Sequence, residues 1–155
     1  MVHQVTTSVV DADDVRLDDY RRLQDHTWRR GVEEAGGFFV VEGWEPVKRL
    51  LASGWDVRSV LVTEDKAHRI GSLLEGDASF PLYNVTRALA KKVAGFDVHR
   101  GLLASADRPA AGDWREVASG AGRLAILEGI NDQENLGAIF RSAAEIGRAS
   151  CRERV

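Results

Sequence analysis

A single cysteine, Cys151, near the end of a 155-residue chain excludes an intrachain disulfide. Its isolation also argues against thiol chemistry and against a cysteine metal site. The four histidines, His3, His26, His68 and His99, show no ligand spacing, so no zinc or iron centre is indicated and no metal is expected. A surplus of positive charge is missing as well. With 21 Lys and Arg against 24 Asp and Glu, the net charge is -3. There is no global basic field, and contact with a nucleic acid must come from a local patch. The first thirty residues carry Asp11, Asp13, Asp14, Asp18 and Asp19 and no long apolar run. Neither a secretory signal nor a membrane span is therefore expected, and the cytoplasm is the default location. No G-x-G-x-x-G follows a strand-like run, and neither a Walker loop nor a G-x-S-x-G elbow occurs. Ser119-Gly120-Ala121-Gly122 precedes an apolar run instead of following one, which is the wrong order for a phosphate loop.

What is present is 44% hydrophobic, enough for one buried core and part of another. Residues 1–15 read as a loose, polar leader. From there Leu17, Tyr20, Leu23 and Thr27 mark one face of a helix, and Arg22, His26, Arg29 and Arg30 mark another. The second stripe has two readings: a solvated face neutralised by Asp25, Glu33 and Glu34, or a phosphate-contacting patch. Residues 38–41 read as a buried strand between glycines, followed by a helix with Pro46 in its first turn and Gly54 as its stop. Residues 57–63 and 80–85 are further strands, separated by a helix bearing Ile70, Leu73 and Leu74 and ended by Gly76. Thr86 caps a helix over 87–94, with Leu89 and Val93 inward and Gly95 closing it. His99-Arg100-Gly101 opens a strand over 102–105. Strands alternating with helices of this size predict a parallel-leaning sheet covered on both faces. Residues 107–122, with a short helix near 114–118, form a linker. Trp28, Trp44, Trp55 and Trp114 are scattered, in packing roles, with a stacking contact to a base left open for one of them.

The most informative stretch is 131–147, NDQENLGAIFRSAAEIG, directly after the apolar run Leu124-Ala125-Ile126-Leu127. Strand, polar loop and helix in succession are the unit from which α/β ligand sites are built. Leu136, Ile139, Phe140 and Ala143 form one helical stripe, while Gly137 and Arg141 lie one turn apart on another. Helical side chains lean toward the N-terminus, so Arg141 is expected to reach back under the loop carrying Asn131 and Asn135. Asn135 is placed as the N-cap, and Gly137 lets a ligand approach the backbone N–H groups.

The pattern Glu128, Asn131, Asn135, Gly137, Arg141, Ala143-Ala144 and Gly147 resembles the first motif of the SpoU-type (TrmH-like) RNA ribose 2′-O-methyltransferases of the SPOUT superfamily. Upstream, Phe38 to Gly43 is similar to the F-x-x-E-G segment of their substrate-binding domain, and Gly95 to Gly101 to its G-x-x-x-H-R-G segment. Gln133 stands where the family usually has proline, which loosens the loop without removing a functional group. The resemblance implies a small three-layer α/β/α substrate-binding domain, ribosomal-protein-like, over 16–106. Over 123–147 it implies the first strand-loop-helix of an incomplete SPOUT trefoil-knot domain.

It implies methyl transfer from S-adenosylmethionine to a ribose 2′-hydroxyl of tRNA or rRNA, in a homodimeric parent. Arg141 is then the catalytic arginine and Asn135 its partner. A guanidinium with a pKa above about 12 is a poor general base, so Arg141 is read as clamping a phosphate and the reacting hydroxyl while Asn135 fixes the loop. Arg22, Arg29, Arg30, His99, Arg100, Asn131 and Gly137 are the expected RNA-binding residues. The family's later motifs, which form the knot that holds S-adenosylmethionine, have no counterpart here, and residues 148–155 read as a non-native tail left by truncation, frameshift or fusion. The chain as written is therefore expected to be inactive by itself. Two other classes fit less of the pattern: a non-enzymatic RNA-binding module resembling a ribosomal protein, and a nucleotide-binding α/β enzyme using the helix start at 135–137.

Overall fold

The structure is a computed structural model that describes residues 6–74, 80–110, 112–130 and 132–146. It divides into two compact units, Met1–Pro109 and Ala110–Val155. The first contains β1 (Thr6–Ser8), a 3-10 helix (Val15–Tyr20), α1 (His26–Gly36), β2 (Phe38–Glu42), α2 (Trp44–Leu51) and β3 (Val57–Thr63). A second 3-10 helix (Glu64–Ser72), β4 (Leu82–Val85), α3 (Arg87–Ala94) and β5 (Leu102–Asp107) follow.

The five strands form one sheet in the order β1-β4-β3-β5-β2. β4 runs parallel to β1 and β3, whereas β5 runs antiparallel to β3 and β2. The sheet is thus mixed where a parallel-leaning one was expected. The turn at 99–101 explains the reversal: the Thr63 N–H donates to the Gly101 carbonyl at 3.0 Å, so β5 must start where β3 ends and run back along it.

Side chains alternate across the pleat, as a sheet buried on both faces requires. Phe38, Val40, Leu61, Tyr83, Val85 and Leu103 face a core shared with Val9, Leu17, Tyr20, Leu23, Leu89 and Val93. Val60, Val62, Leu82, Leu102, Ala104 and Ala106 face the opposite core, closed by Val47 and Leu50 and flanked by Phe39, Val41 and Trp44. This is the expected three-layer arrangement.

Several local expectations hold. Thr86 Oγ1 accepts from the Leu89 N–H at 3.1 Å, and Gly95 closes α3 at φ +85°. Others change. The polar leader contributes β1, held by backbone pairing with β4, and its Val9 and Ala12 are buried; pairing of this kind leaves no trace in side-chain polarity. The single helix expected from Leu17 to Thr27 is two. Arg22 takes φ +52°, and the Asp25 carboxylate caps a separate α1 by accepting from the Trp28 N–H. Between β3 and β4 the regular element is the 3-10 turn, with Ile70, Leu73 and Leu74 still packed on the core. Gly76 lies outside the described residues.

Tyr20 shows how the first 3-10 helix is fixed to the sheet. Its hydroxyl lies 2.9 Å from the Ser59 carbonyl and 2.7 Å from Ser59 Oγ, in full burial. Burial pushes the phenol far above its usual range, more than the Ser59 contact lowers it. Because the folded pKa exceeds the unfolded one, the stabilisation is whole below pH about 10 and is lost as the pH rises above it. Tyr20→Phe is expected to cost about 1–2 kcal/mol at neutral pH and to flatten the alkaline decline, as urea unfolding from pH 7 to 11 reads directly.

The second unit contains α4 (Trp114–Ser119) and α5 (Gln133–Ile146). The strand expected at 124–127 is not formed: Leu124 is 58% and Ile126 85% exposed. A strand requires a partner to complete its ladder, and among the described residues of this unit there is no strand to supply one.

Candidate nucleic-acid interface

Strand direction gathers the two motif stretches of the first unit at one end of the sheet. β2, β3 and β4 finish there and β5 begins there, so Glu42-Gly43, Thr63 and His99-Arg100-Gly101 become neighbours. The Gly43 N–H donates to the Leu102 carbonyl at 2.9 Å. Gly43 also has φ +98°, and a Cβ there would lie 2.7 Å from Arg100 Cδ. The conformation and the close approach both require glycine. Gly101, at φ +65°, is enclosed in the same way, its missing Cβ filled by Thr63 Oγ1 and by Lys66 Cγ at 2.6 Å.

Trp44 follows Gly43 and joins the parts. Its indole Nε1 donates to the Arg100 carbonyl at 2.9 Å, and the Arg69 guanidinium sits over its ring, 4.2 Å from the centroid. Lys66 pairs with Asp65 at 3.2 Å. Beside this cluster the Arg87 guanidinium makes two bonds to Asp97, at 3.0 and 2.9 Å, and holds its carboxyl below the usual range. His99 Nδ1 approaches the same carboxylate at 3.4 Å, on an exposed side chain.

The basic stripe read from the sequence separates into three local arrangements. Arg22 pairs with Asp25 and lies 4.5 Å from the Trp28 ring centroid. Arg30 pairs with Glu34 across one helical turn. Arg29 turns inward: its Nε donates to Glu33 Oε1 at 2.7 Å and its Nη2 to the Val40 carbonyl at 2.7 Å. The Val40 N–H in turn donates to Glu33 Oε1 at 3.2 Å. The Arg29–Glu33 pair thus occupies the outer hydrogen-bonding edge of β2, and Arg29 is not available to a ligand in this arrangement. His26, on the same helix, is exposed.

In the second unit Asp132, and not Asn135, takes the capping role. Its Oδ1 accepts from the Glu134 N–H at 2.8 Å and its carbonyl from the Leu136 N–H at 3.1 Å. Asn135 is exposed inside the first turn of α5. Six residues at about 100° each carry Arg141 roughly 120° around the helix from Asn135, so the two do not share a face. No hydrogen bond joins them among the described residues. Arg141 does lean toward the N-terminus, its Nη1 3.5 Å from the place a Gly137 Cβ would occupy. Asn131 lies outside the described residues.

S-adenosylmethionine binding calls for an enclosed, mostly apolar pocket. Leu124, Ile126 and Leu127 are exposed instead of walling a cleft, so the described residues do not fit that group and no chemical step is derived through it. Among them there is no group of three or more His, Cys, Asp or Glu able to hold a metal ion. No described helix is long and apolar enough to cross a membrane.

Comparison with known proteins adds the following likenesses. Residues 40–111, which contain the gathered sheet end, match the family described as RNA 2′-O ribose methyltransferase substrate binding. An uncharacterized tRNA/rRNA methyltransferase of Mycobacterium tuberculosis is 37% identical over 136 residues, covering 88% of this chain and 47% of the relative. A Mycobacterium bovis protein of the same description matches equally. The chain spans about half the length of these relatives. Among solved structures, an RNA 2′-O ribose methyltransferase superposes with a TM-score of 0.56 at 22% identity, over 91% of this chain and 53% of that one. An AdoMet-bound rRNA methyltransferase from Sinorhizobium meliloti gives 0.60 at 16% identity, over 94% and 53%. At such identities the likeness is one of fold. In its substrate-binding match over residues 40–111, in its mycobacterial relatives and in its fold, this chain is similar to the RNA 2′-O ribose methyltransferases.

Proposed function

We propose that the whole protein is an S-adenosylmethionine-dependent methyltransferase acting on a ribose 2′-hydroxyl of tRNA or rRNA, and that the first unit holds the RNA. The observation that carries this reading is the meeting of Glu42-Gly43 and His99-Arg100-Gly101 at one sheet end, inside the stretch that matches the substrate-binding family. His99 and Arg100 are exposed there, and Arg22, just before α1, and Arg30, on it, are further exposed arginines, each paired with a carboxylate. In the second unit Arg141 is the proposed catalytic residue. Its guanidinium clamps a phosphate beside the reacting hydroxyl, positioning it without acting as a simple base. Gly137 leaves room for that approach. Cytoplasmic location and homodimeric assembly belong to the same proposal.

Two measurements test it. Anisotropy with labelled tRNA and rRNA fragments is expected to show binding by this chain that weakens several-fold in Arg100→Ala, with the salt slope reduced by about 1. Mass spectrometry of nucleosides from cells carrying or lacking the intact gene is expected to reveal one missing 2′-O-methyl nucleoside, not restored by the Arg141→Ala gene. A wild-type chain that binds no RNA, or a lost methyl group on a base, would overturn the reading.

A further inference from the structure

The arginines of the first unit are paired almost throughout. Arg16, Arg21, Arg22, Arg29, Arg30, Arg58, Arg87 and Arg108 each have a carboxylate within ion-pair distance. Among the described residues of this unit only Arg49, Arg69 and Arg100 have none. Two of those three meet at one side chain, Trp44: Arg69 over its face, and Arg100 through the carbonyl that accepts from its indole N–H.

This arrangement is poorly explained by packing alone. The indole is half-buried, its inner part set against the core beneath α2. Its N–H is satisfied by backbone, so the ring is held in one orientation. Arg69 is exposed and lies on the ring with no carboxylate among the described residues to hold it there. A guanidinium held over an aromatic face in this way retains its charge and its donors for another group. Arg100, whose stem fills the space left by Gly43, puts a second unneutralised cation beside it.

We infer that Trp44, Arg69 and Arg100 form a stacking platform for one unpaired nucleobase of the RNA, with Arg69 as the layer between indole and base and Arg100 on the adjoining phosphate. A base has an exposed π-face only where the strand is single. Duplex RNA hides its bases in the stack and shows proteins mainly its phosphates and 2′-hydroxyls. The platform therefore selects a loop, bulge or free end over a helix. This rests on the proposed RNA-binding role of the first unit and specifies which RNA that unit accepts.

The test compares one labelled twelve-nucleotide single strand with the same sequence annealed to its complement, using the full 155-residue chain. The wild type is expected to bind the single strand more tightly than the duplex. Arg69→Gln and Trp44→Ala are each expected to weaken single-strand binding about tenfold, with duplex binding changed less than twofold. Trp44→Phe, which keeps an aromatic face but loses the N–H bonded to the Arg100 carbonyl, should retain more affinity than Trp44→Ala; circular dichroism verifies that each variant folds. Equal loss on single strand and duplex, or no loss in Arg69→Gln and Trp44→Ala, would overturn the platform and leave RNA binding in place. If the wild type bound neither RNA, the platform and the RNA-binding role would fall together.

Discussion

Gly101→Ala is expected to lower the stability of the first unit by about 3 kcal/mol and to abolish RNA binding at the sheet end. Two costs add. At φ +65° a Cβ meets the preceding backbone, which penalises residues other than glycine by roughly 1–2 kcal/mol. The new methyl would also run into Thr63 Oγ1 and Lys66 Cγ, and displacing them costs about another 1–3 kcal/mol. Lys66 is a flexible side chain and can yield. Thr63 cannot easily do so, because it is buried at the end of a central strand and its N–H bonds to Gly101 itself. Relief has to come from the turn, which carries Arg100 away from Gly43. Gly31→Ala is the control: it lies within α1, with nothing inside 4 Å of the added methyl, and should be neutral or slightly stabilising. Urea unfolding of the two variants should separate them clearly, and equal midpoints would show that the turn is not constrained as described.

Glu33→Ala is expected to cost about 2–3 kcal/mol and to make the protein prone to self-association through β2. The carboxylate is buried on α1, where it accepts from Arg29 Nε and the Val40 N–H and faces Arg108 Nη2 at 3.6 Å. β2 is the last strand of its sheet, so its outer groups would otherwise be open to another chain. Glu33 and Arg29 together fill the donor and acceptor of Val40, much as a sixth strand would. Removing the carboxylate leaves Val40 with a free N–H and two arginines without their anion. Because Arg29 is one-third exposed, solvent screens the pair and its loss costs less than that of a fully buried one. Unfolding midpoints give the stability, and light scattering against concentration reads the association. A monomeric variant of unchanged stability would show that the edge is protected by other means.

Arg29 shows where reading from the chain reaches its limit. Its spacing with Arg22, His26 and Arg30 puts it on one helical stripe. Whether such a stripe meets solvent or a strand edge depends on what packs against the helix, and β2 comes from residues well beyond it. Arg69 is the converse case. Nothing in its local sequence distinguishes it from any exposed arginine, and only the crossing of the 3-10 turn over the start of α2 places it on Trp44. The cap of α5 differs for a simpler reason: Asp132 and Asn135 are both good capping residues, and local propensity alone does not choose between them.

Short-range physics sufficed for much of the first unit. Alternating and continuous apolar runs marked β2, β3 and β4, while Thr86 and Gly95 bounded α3 through contacts within a few residues. The glycines at 43 and 101 marked strand boundaries, while their positive φ and the side chains packed against them emerged only from the fold. Strand direction, the edge role of Thr6–Ser8 and the company kept by each arginine were decided only in three dimensions. They depend on hydrogen bonds and charges brought together from distant parts of the chain, which leave no periodic or local mark in the order of the residues.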